Sequence, residues 1–275
     1  MATIPAEQQL HPVGAYGDIF GETRFIGLEL ETTRNVNALP KVDNIEWNIE
    51  HSWYNNINDE EKAAFKKIID PTEKFIAMLG ADGGDIEITT EPISPTILLY
   101  DDNFNKALRN YNLYCLPDEC SGTHVHISKL KSDKRNIWRN LYWFSVVYDK
   151  QLYAVFRRRS TWALSPKKRL QEMNKTKVSI TDVRKLKYPM FGNKGTIIIS
   201  RKNTYECRGG SASTDSKEIK AWAMMFRNIV ELCNQTTIVG HRFEEVIPKG
   251  ELGEILRLRL TGEQQRQICP IDLYL

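Results

Sequence analysis

The 275-residue chain has few cysteines, few histidines and no long apolar run, and each shortage excludes something. Five cysteines, an odd number with no Cys-x-x-Cys spacing, argue against a disulfide framework or a structural zinc site. A reducing, cytoplasmic setting is therefore expected. No stretch is long and apolar enough for a transmembrane helix. Met1 to Phe20 lacks the basic start and apolar centre of a signal peptide, so no membrane partner is expected. Charge of one sign is also scarce: 38 Lys and Arg against 35 Asp and Glu leave +3, which does not compel a nucleic-acid role. The chain shows no internal repeat. At 41% hydrophobic and 27% charged residues it reads as an ordinary globular protein with a full core.

Of the five histidines, two stand one residue apart in Cys120-Ser-Gly-Thr-His-Val-His-Ile-Ser128. Thr123, Val125 and Ile127 alternate with His124, His126 and Ser128, the period of a strand with one apolar and one polar face. Both imidazoles then project from one side, roughly 7 Å apart by the strand rise. Ser121-Gly122 supplies a turn just before them. Alone, the pair reads equally well as two solvated side chains on a surface strand.

Other segments repeat the habit. Arg24 to Glu31 predicts a strand with Leu28 and Leu30 on one face and Glu29 and Glu31 on the other. Glutamate favours strands poorly without a reason, and two carboxylates on one face repel unless a cation or water separates them. Ala81 to Pro92 turns at Gly83-Gly84 and then alternates Ile86 and Ile88 with Asp85, Glu87 and Thr89; Glu91 shares the face if the strand stays regular. Gly195 to Ser200 predicts a buried strand. It forms a hairpin around Lys202-Asn203 with Asn203 to Gly210, where Glu206 and Arg208 face away from Tyr205 and Cys207.

Helices are expected from Asn58-Asp59-Glu60-Glu61 to Pro71, from Phe104 to Tyr114, after a capping box at Asp215 to Glu218, and after Pro248. The longest is expected over Ser132 to about Arg157, on the stripe Ile137, Leu141, Phe144, Tyr148, Leu152 and Val155. It ends in Arg157-Arg158-Arg159, followed by Lys167, Lys168 and Arg169. Such a run is either a solvated helix end or an anion site. The predicted fold class is α+β, a curved, mainly antiparallel sheet with helices packed on one face. Residues 1–20 read as an irregular arm, 21–275 as a single domain, and 35–78 as an insertion covering a site.

A polar face carrying Glu29, Glu31, Glu87 and Glu206 together is electrostatically untenable without cations. Divalent metals with oxygen ligands and an imidazole resolve it, and hard carboxylates favour Mg²⁺ or Mn²⁺. Arginines beside such metals suit a transferring phosphoryl group.

Gly-Leu-Glu-Leu-Glu at 27–31, the Asp-Gly turn with Glu-Ile-Thr-Thr-Glu-Pro at 82–92, Cys-Ser-Gly-Thr-His-Val-His at 120–126 and Tyr-Glu-Cys-Arg at 205–208 resemble the amidoligase family of the carboxylate-amine ligase superfamily. The Gly-x-His-x-His and Glu-x-Arg strands also resemble glutamine synthetase, and the resemblance spans about residues 24 to 230 in order. It implies a glutamine synthetase-like catalytic domain that joins a small-molecule or peptide carboxylate to an amine. ATP would activate the carboxylate as an acyl phosphate.

On that resemblance Glu31 and Glu87 hold one metal, and Glu29, His124 and Glu206 a second. His126 approaches the ATP phosphates and Arg208 stabilises the transferring phosphoryl. Arg157 or Arg159 clamps phosphate or the substrate carboxylate, and Asp82 deprotonates the amine, with Asp85 competing. Two departures stand out. Glutamine synthetase spaces two further glutamates more widely than Glu87 and Glu91, and its amino-terminal β domain, which completes the site between subunits, has no counterpart here. A single-chain site and a different oligomer are therefore implied. Two competing readings are a Cys-His acyl transferase or hydrolase using Cys120 or Cys207, and an idle member of the fold binding a partner or nucleic acid through Arg157 to Arg169. A small-acceptor kinase shares the phosphoryl chemistry.

Overall fold

The computed structural model describes residues 24–45, 47, 58–80, 86–118, 121–135, 137–157, 177–179, 197–234, 238–269 and 272–274. Asp82, Asp85, Cys120, Arg158, Arg159, residues 1–20 and the basic stretch at 167–169 lie outside them.

The chain is α+β. Its main sheet comprises β1 (Ile26–Arg34), β2 (Ile76–Gly80), β3 (Ile86–Thr90), β4 (Cys115–Leu116), β5 (Gly122–Ser128), β7 (Ile198–Ser200) and β8 (Thr204–Ser211). The order is β2-β3-β1-β5-β8-β7, with β4 also on β1, and every pairing is antiparallel. A separate pair joins β6 (Lys177–Ser179) to β9 (Asp272–Tyr274). The expected strands around Glu29, Glu87, His124 and Glu206 are all present, and β7 and β8 form the expected hairpin. Strand β2 was not anticipated: Ile76-Ala-Met-Leu-Gly80 has neither strict alternation nor a β-branched run.

Alternation fixes which face is buried against helices. Ile26, Leu28, Leu30, Val125, Ile127, Tyr205 and Cys207 are buried in one continuous hydrophobic cluster with Trp222, Phe226 and Ile229. Those last three lie on α6 (Ser216–Cys233), which packs on β5, β1 and β8. Asp215 caps α6 through the Lys217 N–H (2.9 Å). Glu218 leaves the expected capping box, accepting instead from Ser213 Oγ (2.5 Å) and from Arg259.

The helix expected over Ser132 to Arg157 is two helices, α4 (Ile137–Val147) and α5 (Asp149–Phe156), meeting at Tyr148. The i to i+4 bonds persist across the junction, Tyr148 N to Phe144 O and Leu152 N to Tyr148 O, both 2.9 Å. The predicted stripe is buried on both helices. Asp133 does not start the helix. Arg24 and the Leu130 N–H draw its carboxylate away. The longest described helix is α6.

Helix α1 (Asp59–Ile69) is capped by Asn58 in a full capping box with Glu61. It packs on β2 and on α3 (Asp102–Tyr114), and Phe65, Ile69 and Phe75 join the main core. Within the 35–78 segment, residues 58–78 thus contribute Phe65, Ile69, Phe75 and Ile76 to the hydrophobic layer. The remaining helices are α2 (Pro95–Tyr100), α7 (Glu251–Arg257) and α8 (Gly262–Arg266). No described helix is long and apolar enough to cross a membrane. Cys115, Cys207, Cys233 and Cys269 are buried.

Candidate metal and phosphate site

The register of four central strands assembles the polar face. Strands β1 and β3 set Glu31 directly against Glu87; β1 and β5 set Glu29 against His124; β5 and β8 set His126 against Glu206. One strand of separation brings opposed Cβ atoms to about 5 Å, so six ionisable groups predicted separately become one cluster. Opposed carboxylates such as Glu31 and Glu87 destabilise a sheet unless something positive lies near them.

Between Thr123 and Val125 the β5–β8 ladder shifts: Val125 pairs with Cys207 but Thr123 pairs with Gly210. Strand β8 thus carries one extra residue opposite His124, a bulge that re-aims the neighbouring Arg208. Two glycines make it feasible. A Cβ at Gly210 would lie 2.5 Å from the Thr123 carbonyl oxygen, and one at Gly209 would lie 2.5 Å from Ile197 Cγ1.

Glu29 is the hub. Its Oε2 lies 3.0 Å from His124 Nδ1 and its Oε1 2.9 Å from His126 Nε2. His124 Nε2 also lies 3.5 Å from Glu31 Oε1, so both of its nitrogens face carboxylates. A neutral imidazole donates through only one of them. The His126 contact is short, yet the ring N–H is not aligned on the oxygen, and buried Nε2 satisfies no hydrogen bond. Its Nδ1 faces the Thr204 hydroxyl at 3.4 Å. Burial opposes ionisation of Glu29, but the hydrogen bond with His124 and the closeness of His126 outweigh it and hold the carboxyl well below the usual range. Burial likewise disfavours charged His126. Glu29 and Glu206 prevail and raise its pKa, with Arg201 pulling the other way.

Glu206 is buried to 2% side-chain exposure. Its Oε1 lies 3.5 Å from Arg208 Nε and 3.9 Å from His124 Nδ1, and its Oε2 is engaged by Arg201 Nε. Ligand atoms of Glu29, His126 and Glu206 all lie within 4.8 Å of one another, a set that suits a hard divalent cation. The orphaned His126 nitrogen aimed at a carboxylate supports the fit. His126, assigned to phosphate from the sequence, is therefore as well placed to ligate as His124, which touches the same carboxylates. Glu87 is half-buried and accepts from the Thr89 hydroxyl at 3.2 Å.

Arg157 is placed elsewhere. It ends α5 in the left-handed conformation (φ 59°), bridges to Gly210 at the sheet edge, and directs Nε to Glu218 at 3.8 Å. Glu91 lies beyond the end of β3; burial raises its pKa and Lys66 of α1 partly offsets this. Cys207 faces the helices at 1% exposure.

Sequence reasoning missed Arg201. It falls between the expected strand ending at Ser200 and the turn at Lys202-Asn203, and Ile199 pairs with Glu206. Two residues on, Arg201 therefore returns to the face of Glu206. The signal was the hairpin register, legible only once the loop length is known. No protein-family model matches the chain, and no curated protein matches it.

Proposed function

We propose that this polar face is the active site of an ATP-dependent carboxylate-amine ligase that uses Mg²⁺ or Mn²⁺, built on an antiparallel, glutamine synthetase-like sheet in a cytoplasmic setting. The observation that carries the reading is the register. It gathers Glu29, Glu31, Glu87 and Glu206 around two histidines, with Arg201 and Arg208 against Glu206. Among the described residues four carboxylates stand with two guanidinium groups, and divalent cations would balance such a cluster. Glu31 and Glu87 would hold one cation, and Glu29 and Glu206 a second with His124 or His126. Bound there, the metal would offset charge on the phosphate oxygens.

In the reaction, a substrate carboxylate oxygen attacks the γ-phosphorus of ATP and ADP leaves. The amine nitrogen then attacks the acyl carbon, phosphate leaves, and the nitrogen loses a proton. Arg208, anchored on the bulge beside Glu206, supplies positive charge to the phosphoryl group. Asp82 would take the proton. Arg159, or Arg157 after turning from Glu218, would clamp phosphate or the substrate carboxylate. Substrates would be small-molecule or peptide carboxylates and amines.

A thiol mechanism gains no support from Cys207, which is sealed against the helices. The test is ADP release over panels of carboxylates and amines, with the mass of the product. ADP release that needs both substrates and is lost in Glu206→Gln supports the ligase. Activity that survives Glu206→Gln but disappears in Cys120→Ala would overturn it.

A further inference from the structure

Arg201 stands between β7 and β8, and its main chain is held in place. Its N–H donates to Thr204 O at 2.8 Å, and its carbonyl accepts from Lys129 Nζ. Its side chain is 40% exposed and meets the Oε2 of Glu206, which is 2% exposed. Arg208 meets the other oxygen and is itself 21% exposed. A buried carboxylate without a cation is costly, so Arg201 serves Glu206 in the protein alone. Glu206 also belongs to the trio whose ligand atoms converge within 4.8 Å. One carboxylate therefore has two claimants.

We infer that Arg201 is a resident counter-cation of the carboxylate cluster: it pairs with Glu206 until a divalent cation binds, is then displaced toward solvent, and so lowers the affinity of the site for that cation. The inference rests on the metal-binding reading above and adds the residue that tunes it. A guanidinium and a divalent cation on one carboxylate repel. An arginine stays charged at every working pH. Arg201 can yield only by changing rotamer. Its half-exposed side chain and anchored backbone let it do so without disturbing the hairpin. Arg208, more buried and fixed on the bulge, stays.

The test is Mn²⁺ titrated by calorimetry into chelator-stripped full-length protein, wild type, Arg201→Gln and Arg201→Lys, with thermal unfolding of each with and without Mn²⁺. Arg201→Gln should bind Mn²⁺ about tenfold tighter, a change of the size expected for removing one adjacent like charge. Arg201→Lys should stay near wild type. Metal-free Arg201→Gln should melt below wild type, and Mn²⁺ should close the gap. If Arg201→Gln folds only with Mn²⁺ present, the inference is equally supported; failure to fold even then overturns it. Wild type binding with Arg201→Gln equal or weaker would also overturn it, leaving the metal site standing and making Arg201 a mere support for Glu206. If no variant binds Mn²⁺, the inference and the metal reading fall together.

Discussion

Two groups of buried charge flank the same strands, and they are built on opposite plans. On the helix side, Arg24 donates from every guanidinium nitrogen: Nε to Glu231 at 3.0 Å, Nη1 to Ser128 O at 2.9 Å and to Asp133 at 3.1 Å, and Nη2 to Asp133. Asp133 in turn accepts from Leu130 N and from the Tyr205 hydroxyl. Donors and acceptors are matched, and the group ties β1, β5, β8 and α6 together. On the other face, one residue along from Tyr205, Glu206 enters a cluster with an excess of carboxylates, a misaligned His126 and opposed Glu31 and Glu87. Burial of charge is common to both. What separates a structural network from a candidate site is composition: in the first, donors meet acceptors one for one, while the second gathers, among the described residues, four carboxylates around two histidines and two guanidinium groups.

The sharpest way to break that contrast is Arg24→Met. It strands Asp133 without its partner and should cost about 3–5 kcal/mol in denaturant unfolding, with Mn²⁺ affinity unchanged in whatever fraction folds. Next is Gly210→Ala, which drives a Cβ against the Thr123 carbonyl. A loss of about 1–3 kcal/mol is expected, because the bulge must open. Glu31→Gln should act in the opposite direction on the polar face. Removing one of two opposed carboxylates should stabilise metal-free protein by about 0.5 kcal/mol, while weakening Mn²⁺ binding. If Glu31→Gln destabilised as Arg24→Met does, the distinction between the two groups would collapse.

The smallest effect is in pH. His126 has a raised pKa in the folded protein, so its contribution is full below the ordinary imidazole value of about 6.5. That contribution is lost as pH rises through the folded value. Glu29 has a lowered pKa; its contribution is full above the ordinary carboxylate range and lost only as pH falls toward the folded value. In chelator, the stability gap between wild type and His126→Gln should therefore be widest in mild acid and close on the alkaline side. A gap that widened with rising pH would mean the ring is held neutral.

Much of this was legible from residue order alone, because strict alternation reports a face. Leu28/Glu29/Leu30/Glu31 and Val125/His126/Ile127 placed their polar members correctly before any pairing was known. Pairing itself was not legible. That Glu31 opposes Glu87, or that His126 opposes Glu206, depends on strand order and register, and the bulge at Gly209-Gly210 that carries Arg208 is equally silent, since none of these leaves a periodic trace. The Tyr148 junction was invisible because the hydrophobic stripe runs straight through it. The role of Asp133 was invisible for the complementary reason: its long-range partner Arg24 lies 109 residues away in sequence. Arg201 hid inside a turn.

The account stands on the claim that the acid-rich face takes a divalent cation. Electron paramagnetic resonance of Mn²⁺ titrated into wild type, Glu29→Gln and Glu206→Gln, each checked for folding by circular dichroism, tests it directly. At least one bound Mn²⁺ per wild-type chain, lost in both folded variants, is the predicted result; no binding by wild type, or equal binding by all three, would contradict it.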